Sequence, residues 1–387
     1  FSPVGLRYLY GPAAPRICSK SEMAASSRPV ILERVRLTES NHSTPPVQQT
    51  EDTMTTPNRR VVRVMRPTAG AAPECCRGAD EAPAPRAEGQ LRVAVEYISV
   101  DAGMRTMLRG EGYHRQVALG GVILAGGVGR IIESTLSDWS VGQAVRGGLG
   151  AQTLATVTPE MVERVDDGFG PLSVHLGLLG GSTGVTAYIG MEQVAKVKPG
   201  DIFAVSAAAG AVGAVAGQIA KKAGAYVIGI AGGQRKTAFL VDKLGFDAAI
   251  DYKGQDVSGE LKRLAPNGIN VFFDNVGGAI LDAALDHLAL RARVVICGAI
   301  SQYDDMDHVT GPSMYLRLAE RQSVMEGFAY FHFPERMEPA KAQLSEWLAE
   351  GSIVLPEEIL TGIDAYPEAL QFMFSGGNLG KLMVKAS

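Results

Sequence analysis

The chain of 387 residues contains few cysteines, few aromatic residues and no long hydrophobic run. Its four cysteines, Cys18, Cys75, Cys76 and Cys297, are too few for a disulfide scaffold, and they favour a reducing, cytoplasmic compartment. A membrane-spanning helix needs about 18 unbroken apolar residues, and the longest runs here are far shorter. With 37 basic and 41 acidic residues, the formal net charge is −4. This balance predicts neither a nucleic-acid partner nor a membrane partner.

Glycine, in contrast, is abundant, with 46 residues. At roughly 100–200 residues per domain, the length predicts two domains. Residues 1–57 stand apart because they combine many prolines, serines and threonines with no sustained period, which is typical of a disordered extension. An organelle transit peptide is the alternative for this stretch, but its glutamates speak against it.

The rest of the chain consists of two unlike segments. Residues 61–175 show short β-branched runs between glycines and prolines, which predicts a mostly β segment. Residues 200–330 alternate strand and helix patterns through six rounds, which predicts an α/β fold with a parallel sheet and helices on both faces. A further strand, predicted at 381–384, is expected to return to the first domain.

The segment 207–217 (AAAGAVGAVAG) is a glycine-rich turn between the first of these strands and a helix. Gly210 is expected to permit the tight turn, and Gly213 to let backbone amides approach a pyrophosphate at the helix N-terminus. The spacing differs from the usual G-x-G-x-x-G, so the prediction depends on the strand–turn–helix context. The alternative is that these glycines serve helix packing alone.

The end of the second strand indicates which dinucleotide is bound. NAD-binding proteins place a carboxylate about 20 residues after the glycine turn, whereas residues 230–233 (IAGG) carry none. Arg235 and Lys236 follow instead, and a small uncharged turn beside two cations suits the 2′-phosphate of NADP. The alternative is a solvated helix start, although cations in a first helical turn oppose the macrodipole.

Neither a metal site nor a nucleophile is predicted. Cys75 and Cys76 are adjacent, and His114 and His175 have no partner cysteine at a suitable distance in the sequence. The nucleophile motif G-x-S-x-G does not occur, and Cys297 is interpreted as a buried hydrophobe at a strand end.

Several motifs together resemble those of one family. They are VSAAAGAVGAVAGQIAK (205–221), GFDAAIDYK (245–253), FFDNVGG (272–278), ICGAISQY (296–303), MEGF (325–328) and NLGK (378–381). In this order they resemble the zinc-independent medium-chain dehydrogenases/reductases, and more narrowly the prostaglandin, alkenal double-bond and curcumin reductases. The resemblance covers about residues 60–387.

This resemblance implies a Rossmann domain, a doubly wound parallel sheet, inserted into a GroES-like β-rich domain. The Rossmann domain would span 180–331, and the GroES-like catalytic domain would comprise 58–179 plus 332–387. It also implies NADPH-dependent reduction of the C=C bond of α,β-unsaturated ketones and aldehydes, and a homodimer that pairs through the sheet edge.

The same resemblance implies the site residues. The pyrophosphate would lie on Gly210, Ala211, Val212 and Gly213, the 2′-phosphate on Lys236, and the adenosine phosphate beside Tyr252. Further cofactor contacts would come from Asn275, Cys297, Gly298, Ala299, Ile300, Ser301, Gln302, Tyr303, Phe328, Ala329, Tyr330 and Asn378.

Hydride addition to the β-carbon leaves an enolate, whose charge needs hydrogen-bond donors. Tyr303 is the predicted catalytic residue, as a donor to the nicotinamide ribose or to the enolate. The family often has an aromatic residue where this chain has Gly103, which leaves room for a bulkier substrate, unless Tyr113 compensates. A quinone reductase, an alcohol dehydrogenase and a non-catalytic NADPH-binding protein are the alternatives, of which the alcohol dehydrogenase is disfavoured by the missing zinc ligands.

Overall fold

The computed structural model describes residues 57–67, 73–109, 116–303 and 306–387. Residues 1–56 of the predicted extension and Tyr113 lie outside this part of the chain. The strands are β1 (Asn58–Arg63), β2 (Cys76–Glu81), β3 (Leu91–Ser99), β4 (Gly127–Glu133), β5 (Ala144–Gly147), β6 (Leu154–Val157), β7 (Val162–Arg164), β8 (Ile202–Val205), β9 (Tyr226–Ala231), β10 (Ala248–Asp251), β11 (Ile269–Asp274), β12 (Leu288–Ile296), β13 (Val324–Gly327), β14 (Glu357–Thr361) and β15 (Lys381–Lys385).

The α-helices lie mainly between the strands of the second half. They are α1 (Met104–Arg109), α2 (Thr186–Ile189), α3 (Ala211–Lys222), α4 (Gln234–Asp242), α5 (Val257–Leu264), α6 (Gly278–Asp286), α7 (Leu316–Glu320), α8 (Pro334–Ala349) and α9 (Tyr366–Phe374). Two π-helical turns, Gly181–Val185 and Gly190–Ala195, flank α2. Such turns are uncommon and often occur at functional sites.

The first lobe is built on a seven-stranded sheet in the order β14-β15-β3-β4-β5-β7, with β6 paired to β3 and a separate β1-β2 ribbon. The neighbours in this sheet are antiparallel, except for β14 and β15. Strand β15 pairs with β3, with Met383 opposite Ser99, so the C-terminal strand returns to the first lobe as predicted.

The second lobe contains a six-stranded sheet in the order β10-β9-β8-β11-β12-β13, in which every pair is parallel. If β8 is counted as the first strand, this order is 3-2-1-4-5-6, which is the Rossmann arrangement. The predicted α/β fold, a Rossmann sheet combined with a β-rich lobe, is therefore confirmed.

Both faces of the parallel sheet are covered, as the alternation along β8 shows. Phe203 and Val205 pack in one hydrophobic core with residues of α3 and α8, whereas Ala204 packs in a second core with residues of α5 and α6. Because successive residues of a strand point to opposite faces, a strand covered on both sides must be apolar throughout. Helix α8 also packs against this core of the parallel sheet. The predicted boundaries between the two domains, at 180 and 332, stay predictions.

Among the described residues, no helix has both the length and the apolar character that crossing a bilayer requires.

Candidate active site

The glycine turn joins β8 to α3 at the carboxyl edge of the parallel sheet. Gly210 is the N-cap of α3 with φ −85°, whereas the left-handed residue of the turn is Ala207, with φ 47°. A non-glycine residue in that region stores roughly 1–2 kcal/mol of strain. The tight turn therefore depends on Ala207 and not on Gly210, contrary to the sequence-based expectation. Gly210 leaves the first amides of α3 without a capping side chain.

The other two glycines of the motif serve close packing. A Cβ at Gly213 would lie 2.5 Å from the Ala207 carbonyl oxygen and 2.9 Å from the Ala208 Cα, so the helix lies directly on the backbone of its own turn. A Cβ at Gly217 would lie 2.0 Å from the Phe246 ring. Gly213 thus keeps the amide-bearing turn close to the helix, and Gly217 seats α3 against Phe246.

A cavity of about 1090 Å³ runs along the carboxyl ends of the strands and is lined by residues of both lobes. This volume is slightly above the range of about 300–1,000 Å³ for small-molecule and cofactor sites. The predicted site residues that line it are Gly210, Ala211, Val212, Gly213, Lys236, Tyr252, Asn275, Cys297, Gly298, Ile300, Ser301, Tyr303, Phe328, Ala329, Tyr330 and Asn378. Ala299 and Gln302 belong to the same turn but do not line the cavity.

Lys236 lines one end of this cavity, and the charges of Lys253 and Arg235 lie close enough to act on it. Burial, followed by the charges of Lys253 and Arg235, lowers the pKa of Lys236, and the carboxylate of Glu358 opposes the shift. The Asp251 carboxylate accepts the Gly233 and Lys253 amides at 2.7 and 3.0 Å. The Lys253 charge also acts on Asp251, so Lys236 is the cation that lines the cavity, with Arg235 and Lys253 close to it. Sequence reasoning missed Lys253, although it belongs to the quoted motif DYK.

A buried carboxylate fixes the end of β11. Asp274 is 1% exposed and accepts the Ser206 hydroxyl at 2.7 Å and the Gly277 amide at 3.0 Å, while burial raises its pKa. The side-chain amide of Asn275 donates to the Ser206 carbonyl oxygen at 2.8 Å. Asn275 is therefore held in place where β8 and β11 end side by side.

Tyr303 follows the turn at the end of β12. Its hydroxyl accepts the Ala299 amide at 3.3 Å, so the phenol folds back over its own turn at the cavity wall. Cys297 precedes it, and burial, then the charge of Asp274, raises the pKa of the Cys297 thiol to about 12. This thiol is consequently protonated near neutral pH.

Two aromatic rings follow β13 and pack against glycines of the π-helical turns. Phe328 contacts Gly190 and meets Phe273 edge to face at 6.3 Å. The ring of Tyr330 lies against Gly181, where a Cβ would be 2.9 Å from Cε2. The absence of a side chain at both glycines lets these rings approach the π-helices.

The first lobe supplies the opposite wall of the cavity. Gly103, Met104 and Arg105 line it, and the Arg105 guanidinium lies 4.4 Å from the Phe374 ring centroid. Such a cation–π contact is worth about 0.5–2 kcal/mol. Phe374, from α9, was not predicted, because its place in this wall depends on the fold.

A buried ion pair connects the C-terminal strand to this wall. The Lys381 side chain is 2% exposed and donates to Asp101 Oδ1 at 2.6 Å and to the Val100 carbonyl at 3.2 Å. Asp101 Oδ1 also accepts the Ser182 hydroxyl at 3.2 Å. Burial alone would raise the pKa of Asp101, but the Lys381 charge and these hydrogen bonds outweigh burial and lower it. Sequence reasoning assigned a role to neither residue.

The residues just before Lys381 contact the glycine turn. The Gly380 amide donates to the Ala209 carbonyl at 2.8 Å, and Gly380 forms a parallel bridge with Gly210. The Asn378 side chain donates to the Gly380 carbonyl at 3.0 Å. The tail segment 378–381 thus joins the turn of one lobe to the wall of the other.

The donors on this cavity fit a phosphorylated dinucleotide. Uncapped amides at the start of a twelve-residue helix attract a pyrophosphate, and the cations at Lys236 suit one further phosphate. The described residues contain no group of three histidine, cysteine, aspartate or glutamate side chains that could hold a metal ion.

Two family models match the chain. Residues 59–165 match "N-terminal domain of oxidoreductase", and residues 211–346 match "Zinc-binding dehydrogenase". The 2-alkenal reductase (NADP(+)-dependent) of Nicotiana tabacum is 39% identical over 310 residues, which cover 78% of this chain and 89% of the relative. The NADPH-dependent curcumin reductase of Escherichia coli (strain K12) is 32% identical over 336 residues, covering 85% and 97%.

A solved structure agrees with these matches. The crystal structure of CurA from Vibrio vulnificus in complex with NADPH superposes with a TM-score of 0.80 at 33% identity and covers 85% of this chain and 99% of CurA. Identity above 30% over nearly the whole length of these relatives shows common descent. The chain therefore belongs to the zinc-independent medium-chain dehydrogenases/reductases, in the branch of the alkenal and curcumin reductases.

Proposed function

We propose that this protein reduces the C=C bond of α,β-unsaturated ketones and aldehydes, with NADPH as the hydride donor. It is an NADP-dependent oxidoreductase, since relatives and a solved neighbour carry NADP(H) in their names. The observation that carries the proposal is that one cavity is lined both by Lys236, with Lys253 and Arg235 close by, and by the apolar side chains of Met104 and Phe374. A dinucleotide phosphate and an apolar carbonyl compound can share it.

Within this cavity, each group of residues has a distinct task. Bound NADPH supplies the hydride, which is added to the β-carbon of the substrate. The amides following Gly210 hold the pyrophosphate, and Lys236, with Arg235 and Lys253 nearby, holds the 2′-phosphate. The walls contributed by the two lobes exclude water, which strengthens every hydrogen bond to the developing enolate.

Tyr303 is the predicted hydrogen-bond donor to the nicotinamide ribose or to the enolate. Its hydroxyl accepts the Ala299 amide at the cavity wall. A donor aimed at an oxyanion contributes about 10²–10³-fold to the rate in other enzymes. The remaining predicted cofactor contacts, from Asn275, the 297–303 turn and Asn378, stay predictions.

We further propose a homodimer that forms through β13. This edge strand pairs only with β12 among the described strands, and its four residues are exposed. The exposed apolar residues Val324 and Met325 lie on the strand, and Leu290, Tyr315 and Leu316 belong to the segments that flank it. An exposed apolar edge strand is a template for pairing with a second copy.

The cytoplasmic location stays a prediction.

The test is a product analysis with purified protein. NADPH deuterated at its transferable position is offered with an enone, a 2-alkenal and a quinone, and the products are identified by mass spectrometry and NMR. We expect saturated carbonyl products with deuterium on the β-carbon. An allylic alcohol would show carbonyl reduction instead. Turnover of the quinone alone would make the protein a quinone reductase, and NADPH binding without any turnover would make it a non-catalytic binding protein.

A further inference from the structure

The phenol of Tyr330 lines the cavity beside the first π-helical turn. Tyr330 begins a one-turn 3₁₀-helix after β13, and its ring meets Phe331 edge to face at 5.6 Å. A Cβ on Gly181 would lie 3.2 Å from the Tyr330 hydroxyl oxygen. The hydroxyl end of the ring therefore lies at the start of the π-helical turn, next to Ser182.

The Tyr330 hydroxyl differs from the two other tyrosine hydroxyls around this region. The Tyr366 hydroxyl donates to the Ser99 carbonyl at 3.0 Å, and the Tyr303 hydroxyl accepts the Ala299 amide. No residue of the described chain forms a hydrogen bond with the Tyr330 hydroxyl. A half-buried phenol that lines a cavity without an internal partner has its donor available for a ligand.

Burial and the nearby carboxylates keep this phenol protonated. Burial, followed by the charge of Asp101, raises the pKa of Tyr330; the charge of Glu163 acts in the same direction, and that of Arg146 opposes it. The ammonium of Lys381 is paired with Asp101 on the side of the C-terminal strand. A phenol in this setting suits a neutral hydrogen-bond donor better than an acid that gives up its proton.

We propose that Tyr330 donates a hydrogen bond to the carbonyl oxygen of the substrate and to the enolate oxygen that develops there. Its hydroxyl and that of Tyr303, which follow the neighbouring strands β13 and β12, then stabilise the same negative charge. The α-carbon takes its proton from solvent, so Tyr330 keeps its own proton throughout. This inference rests on the proposed enone reduction and gives Tyr330 a contact with the substrate instead of the cofactor.

The first test is spectroscopic and does not depend on turnover. An enone labelled with ¹³C at its carbonyl is bound together with NADP⁺, which cannot reduce it, and the carbonyl stretch is recorded by infrared difference spectroscopy. Tyr330→Phe keeps the ring on Gly181 and removes only the donor. We expect the stretch to move to higher wavenumber in this variant, because a donated hydrogen bond weakens the C=O bond.

The second test measures turnover and cofactor affinity in the same variant. We expect kcat for the enone to fall about 10–100-fold at saturating NADPH, while the NADPH dissociation constant changes less than about twofold. Tyr226→Phe is the matched control, because Tyr226 is the first residue of β9, at the amino end of the parallel strands, and does not line the cavity. This control should leave both the carbonyl band and kcat unchanged.

Three outcomes would overturn the inference. An unmoved carbonyl band in Tyr330→Phe would show that the phenol does not touch the carbonyl, whatever happens to kcat. A clearly raised NADPH dissociation constant in Tyr330→Phe would show that Tyr330 contacts the cofactor and not the substrate. A kcat within about twofold of wild type would show that the hydrogen bond does not matter for the reaction. If the wild-type protein reduces no enone, the proposed function fails, and the carbonyl band still reports on Tyr330.

Discussion

The ammonium of Lys381 lies 2.6 Å from the carboxylate of Asp101 in the cavity wall. Gly380, the residue before Lys381, donates its amide to the Ala209 carbonyl at 2.8 Å. Gly380 and Lys381 therefore connect the glycine-rich turn before α3 to the loop that carries Asp101. Any shift of this tail would change the distance between the two walls on which hydride transfer depends.

Loss of this ion pair is expected to destabilise the protein. Lys381→Met leaves the Asp101 carboxylate, one-third exposed, without its cation, and we expect about 2–3 kcal/mol less free energy of unfolding in urea at pH 7. Because the folded-state pKa of Asp101 is lowered, the pair stabilises fully above the unfolded value of about 3.9, and this stabilisation is lost as the pH falls through the folded value. The wild-type advantage should thus shrink below about pH 4. A constant difference down to acid pH would contradict the assignment.

Lys236→Ala is expected to weaken NADPH selectively. Removing one charge-assisted contact with a phosphate costs roughly 1.5–3 kcal/mol, so the Michaelis constant for NADPH should rise about 10–100-fold. The Michaelis constant for NADH, which has no 2′-phosphate, should change little. Lys243→Ala, just past the other end of α4, is the control. Equal effects on both cofactors would show that Lys236 does not bind the 2′-phosphate.

The glycines of α3 should separate into two roles. Gly213→Ala would press a methyl group onto the Ala207 and Ala208 backbone, and Gly217→Ala would press one onto the Phe246 ring. Each variant should lose about 1–3 kcal/mol of stability from overpacking. Only Gly213→Ala should also raise the NADPH dissociation constant, measured by fluorescence titration, because it displaces the amide-bearing turn. Equal affinity in the two variants would assign both glycines to packing.

Cys297 is expected to resist alkylation despite its place in the cavity. With its pKa raised to about 12, its thiolate fraction at pH 8 is about a thousandfold lower than for an ordinary thiol of pKa near 8.5. Peptide mass spectrometry after N-ethylmaleimide treatment should find Cys297 unmodified in the folded protein and modified in urea. Rapid labelling of the folded protein would contradict the pKa shift. Such inertness would suit a site proposed to take electrophilic enals.

Val324→Lys is expected to give a monomer. A lysine on the exposed β13 edge would place two like charges in a symmetric strand pairing, which edge strands commonly use to block association. Sedimentation equilibrium should show the wild-type dimer and the monomeric variant. Val141→Lys, at an exposed valine of the first lobe, should leave the dimer intact. A wild-type monomer, or an unaffected dimer in Val324→Lys, would rule out this interface.

The sequence alone predicted the Rossmann sheet well because its signals are local. The residue pattern predicts a strand at 226–230 and a helix at 257–264, and the structure has β9 at Tyr226–Ala231 and α5 at Val257–Leu264. Fully buried strands are apolar throughout and helices have a period of 3.6 residues, so both signals are readable in the sequence. The ends of elements are less accurate: the residue pattern predicts a strand at 293–297, whereas β12 begins five residues earlier, at Leu288. The motifs also contain the cavity-lining residues at the ends of β8, β11 and β12, because strand ends and the turns after them are consecutive in the chain.

What the tertiary structure decided involves residues far apart in sequence. The Asp101–Lys381 pair spans 280 positions, Tyr330 is seated on Gly181, and Phe374 meets Arg105 across the cavity. The strain at Ala207 also has no signature in the residue type. The sequence by itself determined the fold class, the glycine-rich turn after β8 and the cations near it, because local backbone preference and charge encode them. Only folding decided which distant side chains meet at the substrate end, because those contacts depend on how two lobes and a returning strand pack together.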